Sequence, residues 1–334
     1  MSTRLIRLVV VIFLTLPALL LATPASACAC GGIASSDPDA RVNGEIAIVS
    51  KSGNRETIDM RLSMRSIAHD AALVIPTPTS AAVSAGDSST FDRYATITAP
   101  RVETREHWWV SSTNTPDGGV GAPAPGTAPT GAPTVVQQVA LGPLEATVLT
   151  GGDLPGLRKW LSDNGYRLKT AVGDALSPYV DEHWSFVAIR LNSDTPLSGP
   201  LDPIRMVFDS DRIVYPMRMS VAAKGFQRVI TYVVADHRQE RVDGDANSQN
   251  IEVSYAGRLD DGRFLTQVTT IIARPSTITS DFVFADADND DPFQEVRYVD
   301  SDVRILGIMA GPFLVGIGVL AIAAVAAIIA RRRG

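Results

Sequence analysis

Residues 57–64, Thr-Ile-Asp-Met-Arg-Leu-Ser-Met, alternate polar and apolar side chains without a slip. A period of two puts Ile58, Met60, Leu62 and Met64 on one face of an extended chain and leaves the other face polar, the pattern of a half-buried strand. On either side, Ile46–Val49 and Ala72–Ile75 are further β-rich runs set off by polar or turn residues. The region therefore reads as successive short strands.

The same reading resumes after a break. Val135–Leu149 is strand-like, with Gly142-Pro143 interrupting it, and Trp184–Leu191, Phe226–Val234 and Leu265–Ile272 follow. Ile204–Phe208 and Ile213–Met219 flank Asp209-Ser210-Asp211-Arg212, which predicts a hairpin. Helical signals cluster in mid-chain. Asp153 suits an N-cap, Leu157, Trp160 and Leu161 recur at i, i+3, i+4, and Gly165 suits a left-handed C-cap, predicting a helix over 154–164. A second short helix is expected over Val172–Val180. Strands outnumber helices, and the helices sit together, so the class is α+β.

The break itself, residues 111–134, holds ten Pro or Gly among twenty-four positions and nothing large to bury. It reads as a flexible loop, an excursion from one domain rather than a divider of two, between a β-rich part at 28–110 and an α+β part at 135–280. Asp281–Asp302 carries eight acids and one arginine, which predicts a solvated, self-repelling stalk over 281–304.

The two ends are apolar. Arg4 and Arg7, the run Leu8–Leu21 and Ala25-Ser26-Ala27 have the order of a secretory signal over 1–27. Cleavage before Cys28 and lipidation of Cys28 both stay open. Ile305–Ala330 carries no charge; at 1.5 Å per residue it reaches about 39 Å, enough to cross a bilayer core of about 30 Å. Arg331-Arg332-Arg333 follows, so the tail 331–334 is expected in the cytoplasm and the body outside the cell membrane, anchored by a single pass. Gly307 and Gly311 have the spacing by which two such helices pack closely.

The net charge is −6, and setting aside the two arginines of the leader and the three of the tail leaves the exported part at −11. An acidic body argues against nucleic acid as a partner. Two cysteines in the whole chain exclude a disulfide scaffold.

Cys28 and Cys30 can form a local disulfide, supply half of a metal site or do neither. Asp286, Asp288 and Asp290 open like a calcium loop, but Asp291 and Arg297 stand where that loop needs Gly and Glu. Asp181-Glu182-His183-Trp184 and Asp236-His237-Arg238 place acid and base groups in a row, although neighbours on a strand face opposite ways. Trp108-Trp109, after His107 and beside the flexible loop, offers large stiff surfaces suited to a glycan or peptide. No nucleophile elbow, phosphate-binding loop, dinucleotide fingerprint or zinc-protease motif occurs in the chain.

Several landmarks occur together: Cys28-Ala29-Cys30-Gly31-Gly32, Val74-Ile75-Pro76-Thr77-Pro78, Leu161-Ser162-Asp163-Asn164-Gly165-Tyr166, Tyr179-Val180 to Trp184-Ser185-Phe186-Val187-Ala188, and Tyr215-Pro216-Met217-Arg218. In this the chain resembles an exported bacterial family catalogued as domain of unknown function 2330, over most of 28–290. The resemblance implies an exported, membrane-tethered module and transfers no catalytic residue and no cofactor. The expectation is a β-rich ectodomain that binds or scaffolds an envelope protein or glycan without catalysis. The rival is an extracytoplasmic enzyme or thiol/metal protein using Cys28 and Cys30 or an Asp/His pair.

Overall fold

The computed structural model describes residues 32–333 except 38, 110–132, 142, 143, 167 and 224. The leader at 1–27, Cys28, Cys30 and nearly all of the Pro/Gly-rich loop thus lie outside the described residues.

In chain order the elements begin with β1 (Gly32–Ser35), β2 (Arg41–Ser52), β3 (Arg55–Arg65), β4 (Asp70–Thr77), β5 (Ala82–Ala85), helix α1 (Ser88–Ile97) and β6 (Arg101–His107). Next come β7 (Thr134–Leu141), β8 (Leu144–Thr150), helices α2 (Leu154–Asp163), α3 (Thr170–Asp174) and α4 (Ser177–Asp181), and β9 (Ser185–Asn192). Then follow β10 (Ser198–Pro200), β11 (Ile204–Asp209), β12 (Ile213–Tyr215), a 3-10 helix at Arg218–Ala222, β13 (Gln227–Ala235) and β14 (Gln239–Arg241). After these come β15 (Asn250–Arg258), β16 (Phe264–Ile272) and β17 (Phe282–Asp286). The chain ends in β18 (Phe293–Gln294), β19 (Val296–Asp302), β20 (Arg304–Ile305), β21 (Ile308–Met309) and helix α5 (Ala310–Arg333).

Two large sheets face each other. One is five-stranded, in the order β1-β4-β9-β8-β7; the other runs β18-β15-β16-β13-β2-β3-β11-β5, with β10 also on β3. Strands from both sides of the loop enter both sheets. Ile58, Met60, Leu62 and Met64 of β3 pack between the sheets against Leu73 and Ile75 of β4 and Val187 and Ile189 of β9. Each such side chain, buried, contributes roughly 1.5–3 kcal/mol.

The far face of the five-stranded sheet is covered by α2–α4, where Val74, Leu149 and Phe186 meet Leu157, Leu161, Leu176 and Tyr179. The far face of the larger sheet is covered by α1, where Ile48, Tyr232 and Leu265 meet Phe91 and Tyr94. Four layers, helix-sheet-sheet-helix, result. They explain why β4 reads as an unbroken apolar run: it is buried on both faces from Ala71 to Thr77.

Helix α2 starts and stops as its sequence requires. The Asp153 carboxylate accepts the Gly156 N–H at 2.9 Å; Gly165 takes φ +81°, and the Tyr166 N–H returns to the Leu161 carbonyl at 2.7 Å. The helix expected over Val172–Val180 is instead two short ones, α3 and α4, because Pro178 starts a new turn.

Three differences have physical causes. The turn at 209–212 does not close a hairpin: β11 pairs with β3 and β5, while β12 pairs with β17. The local reversal is real, with the Ser210 hydroxyl donating to the Arg212 carbonyl. Pairing then follows burial, and all three residues of β12 are buried. The acidic stretch 281–302 is not one solvated stalk. Asp281 is buried, and β17 pairs with β12 and β14 with Phe282 and Phe284 in the core. Finally, Gly307 lies outside helix α5, at φ +80° in the β20–β21 turn, so it cannot join Gly311 on one helix face.

Candidate functional site

Two places gather functional side chains: a buried ionic hub at Asp281, and the junction where the chain enters α5.

At the hub, the Asp281 carboxylate accepts the Tyr179 hydroxyl at 2.5 Å, the Met217 N–H at 2.6 Å, the Arg218 N–H at 3.0 Å and the Arg218 Nε at 2.8 Å. Arg218 also pairs with Glu182 and lies over the Tyr179 ring, 4.3 Å from its centroid. Burial pushes the Tyr179 hydroxyl far up, and the neighbouring Asp281 charge adds to that. The hydrogen bond from Arg218 holds the Glu182 carboxyl below its usual range. Every group has a mate, so the hub locks α4, the 3-10 helix and the start of β17 together.

This decides the acid–histidine runs. Glu182 is committed to Arg218, and His183 sits at φ +61° in a tight reversal. His237 turns to Asp290, 3.0 Å from Nδ1, rather than to Asp236, and that carboxylate raises its pKa. Asp290 also accepts from Arg238 N–H and Arg258, and Asp286 accepts from Gln239. The calcium-like triplet thus spends two of its three carboxylates on protein donors. Among the described residues no group of three or more His, Cys, Asp or Glu side chains could hold a metal ion.

The junction is built differently. Strands β6 and β19 form a parallel two-stranded ribbon, Val296 opposite Arg101 through Asp302 opposite His107. Both strands are mostly exposed. Arg105 stacks over Tyr298 at 4.3 Å, and His107 Nε2 lies 2.6 Å from Asp300 Oδ1. Seven residues at about 3.3 Å each make the ribbon roughly 23 Å long. So the last part of the acidic segment, 296–302, is mostly exposed and forms half of a paired ribbon.

Where the ribbon ends, backbone bonds clasp it to the helix. The Val303 N–H donates to the His107 carbonyl at 3.0 Å, Ala310 N–H to Val303 at 2.8 Å, and Gly311 N–H to Trp108 at 2.9 Å. A Cβ on Gly311 would lie 2.6 Å from both the Trp108 oxygen and the Trp109 ring. Only glycine permits that approach. Trp108 and Trp109 are both exposed, at 44 % and 58 %. Nothing in the sequence pattern foretold that this pair, 200 residues upstream, would meet the start of α5. A Gly at the head of an apolar helix was the sole available signal.

Helix α5 is long and apolar enough to cross a membrane, and no residue of its most apolar stretch is buried in the protein.

Comparison with known proteins identifies the chain: it belongs to DUF2330, a family of uncharacterized proteins conserved in bacteria, whose model matches residues 24–285. The resemblance read from the motifs above is thereby confirmed. No curated protein matches the sequence. Among solved structures, the crystal structure of baculovirus P35 matches at 8 % identity, covering 78 % of this chain and 98 % of that one, with a TM-score of 0.29.

Proposed function

We propose that this member of the family is a membrane-anchored, extracytoplasmic module that binds or scaffolds a component of the bacterial cell envelope without catalysis. The observation that carries the reading is helix α5. It leaves a body whose two large sheets are each covered by helices, yet it exposes apolar residues on every side, Leu320 at 71 % among them. Water would penalise such a surface and a hydrocarbon layer would not. Its apolar part, 310–330, reaches about 32 Å, matching a bilayer core, and three arginines close it. Those arginines favour a cytoplasmic tail, and the apolar leader favours export of the body.

The non-catalytic part of the reading is supported by the commitment of Glu182, His237 and Asp290 to structural partners.

Protease applied to intact cells making the chain with a C-terminal tag tests both parts of the topology. The body should be digested while a tagged stub survives until the cells are lysed. A clipped tag beside an intact body would reverse the orientation. A metal or redox activity that disappears on C28S/C30S substitution would replace the non-catalytic reading.

A further inference from the structure

The junction carries more than an anchor. Four large apolar side chains are exposed near the start of α5: Trp108 and Trp109, clasped to its first turn, and Leu306 and Ile308 of the β20–β21 hairpin. Leu306 is 87 % exposed and holds φ +54°, a left-handed conformation that a leucine avoids. With Gly307 at φ +80°, this is the tight turn that usually takes Asn-Gly, and here it presents a leucine at its tip. A strained, solvent-facing leucine and two exposed indoles are poorly suited to water.

We propose that Trp108, Trp109, Leu306 and Ile308 form a collar that enters the headgroup layer of the extracytoplasmic leaflet. The inference rests on the membrane anchoring proposed above. The argument for lipid rather than another partner is continuity. The Trp108 carbonyl accepts the Gly311 N–H in the first turn of the apolar helix and the Trp109 ring lies against that glycine, so a bilayer that accepts the first turn of α5 must meet both. Indoles, with one polar N–H on an apolar ring, favour that boundary.

Several charged groups near the collar are engaged within the chain. Asp300 meets His107, Asp302 meets Arg304 at 2.8 Å, and Arg105 lies on Tyr298. The apolar side chains, rather than these charges, would drive the insertion. Seated this way, the ribbon would hold the folded body roughly 20 Å above the headgroups.

The test uses the full chain reconstituted in zwitterionic phosphatidylcholine vesicles carrying acyl-chain quenchers at shallow or mid-bilayer depth. Tryptophan emission is compared with that of W108F/W109F, which leaves Trp160 and Trp184 in place. Shallow quenchers should remove part of the wild-type emission, mid-bilayer quenchers less. The double variant should lose that quenchable component while α5 stays protected from protease. Emission indifferent to both quenchers, with α5 protected, overturns the collar and leaves the anchor standing. An unprotected α5 overturns the anchor and the collar with it. Emission that shifts instead with added soluble peptidoglycan fragments, without lipid quenching, reassigns the pair to a glycan ligand and also overturns the proposal.

Discussion

The phenolic hydroxyl of Tyr179 donates to the carboxylate of Asp281 across 102 positions of sequence, at 2.5 Å. The bond joins the last of the mid-chain helices to the first residue before β17. It turns an acid from the most negative segment of the chain into a buried acceptor.

Asp281→Ala should destabilise the protein by about 3–5 kcal/mol, because it leaves Arg218 and Tyr179 without their buried partner. Chemical denaturation of the detergent-solubilised chain measures the loss as a lower midpoint at unchanged slope. A change below about 1 kcal/mol would mean that the hub is not holding β17 in place.

Arg241 and Asp243 are paired at 2.6 Å with side chains 1 % exposed, and the guanidinium lies 3.6 Å from the Phe282 ring centroid. Arg241→Ala should cost about 3–5 kcal/mol by stranding the Asp243 charge. Arg241→Lys should recover only part of it, since an ammonium neither forks onto both carboxylate oxygens nor stacks flat on the ring. Thermal unfolding of the two variants side by side ranks them.

Glu56 is fully buried; burial pushes its carboxyl to about 8 despite the Val214 N–H at 2.9 Å, and its Oε2 has no hydrogen-bond partner. The folded state then keeps a proton that the unfolded chain releases near the ordinary 4.5. Stability from this group is highest below that value and falls as pH rises towards 8, by about 1.4 kcal/mol per unit, levelling off above. Glu56→Gln should remove that slope and leave the variant more stable than the parent at the alkaline end. Denaturation midpoints at both ends of the window decide it; parallel pH profiles would show that Glu56 ionises normally.

Gly311→Val would drive a branched side chain into the Trp108 carbonyl and the Trp109 ring. Because one obstacle is backbone, the clasp itself should open, at a cost of about 1–3 kcal/mol. Amide exchange at positions 303, 310 and 311 should quicken, with protection in β3 and β9 unchanged. Trp109→Ala added to Gly311→Val should restore little, since the carbonyl remains in the way.

Much of the fold was legible because it depends on local period. The alternation at 57–64, the capped helix expected over 154–164 (found at 154–163) and the apolar run expected over 305–330 (helical from Ala310) each bury or expose side chains in a rhythm that a short window reveals. Helix α1 gives a weak signal in the sequence although Asp87 caps it and Phe91 and Tyr94 are its inward pair. It is short, and polar on most of its surface. Phe282-Val283-Phe284 was masked by the acids around it, though its alternation is the same signal that identified β3. As for the site, Trp108 and Trp109 stood out as residues, but their place at the helix head did not.

From the residues alone came the β-rich class, the mid-chain helices, the apolar terminal helix and the family. Each follows from patterns within a few turns or strands, or from motifs kept in order. Only tertiary structure decided that the segments before and after the loop share two sheets, that Asp281 is buried, and that β6 lies parallel to β19 beside α5. Those outcomes depend on which distant surfaces fit together once each strand has a face to bury. Long-range pairing has no period for a sequence to display.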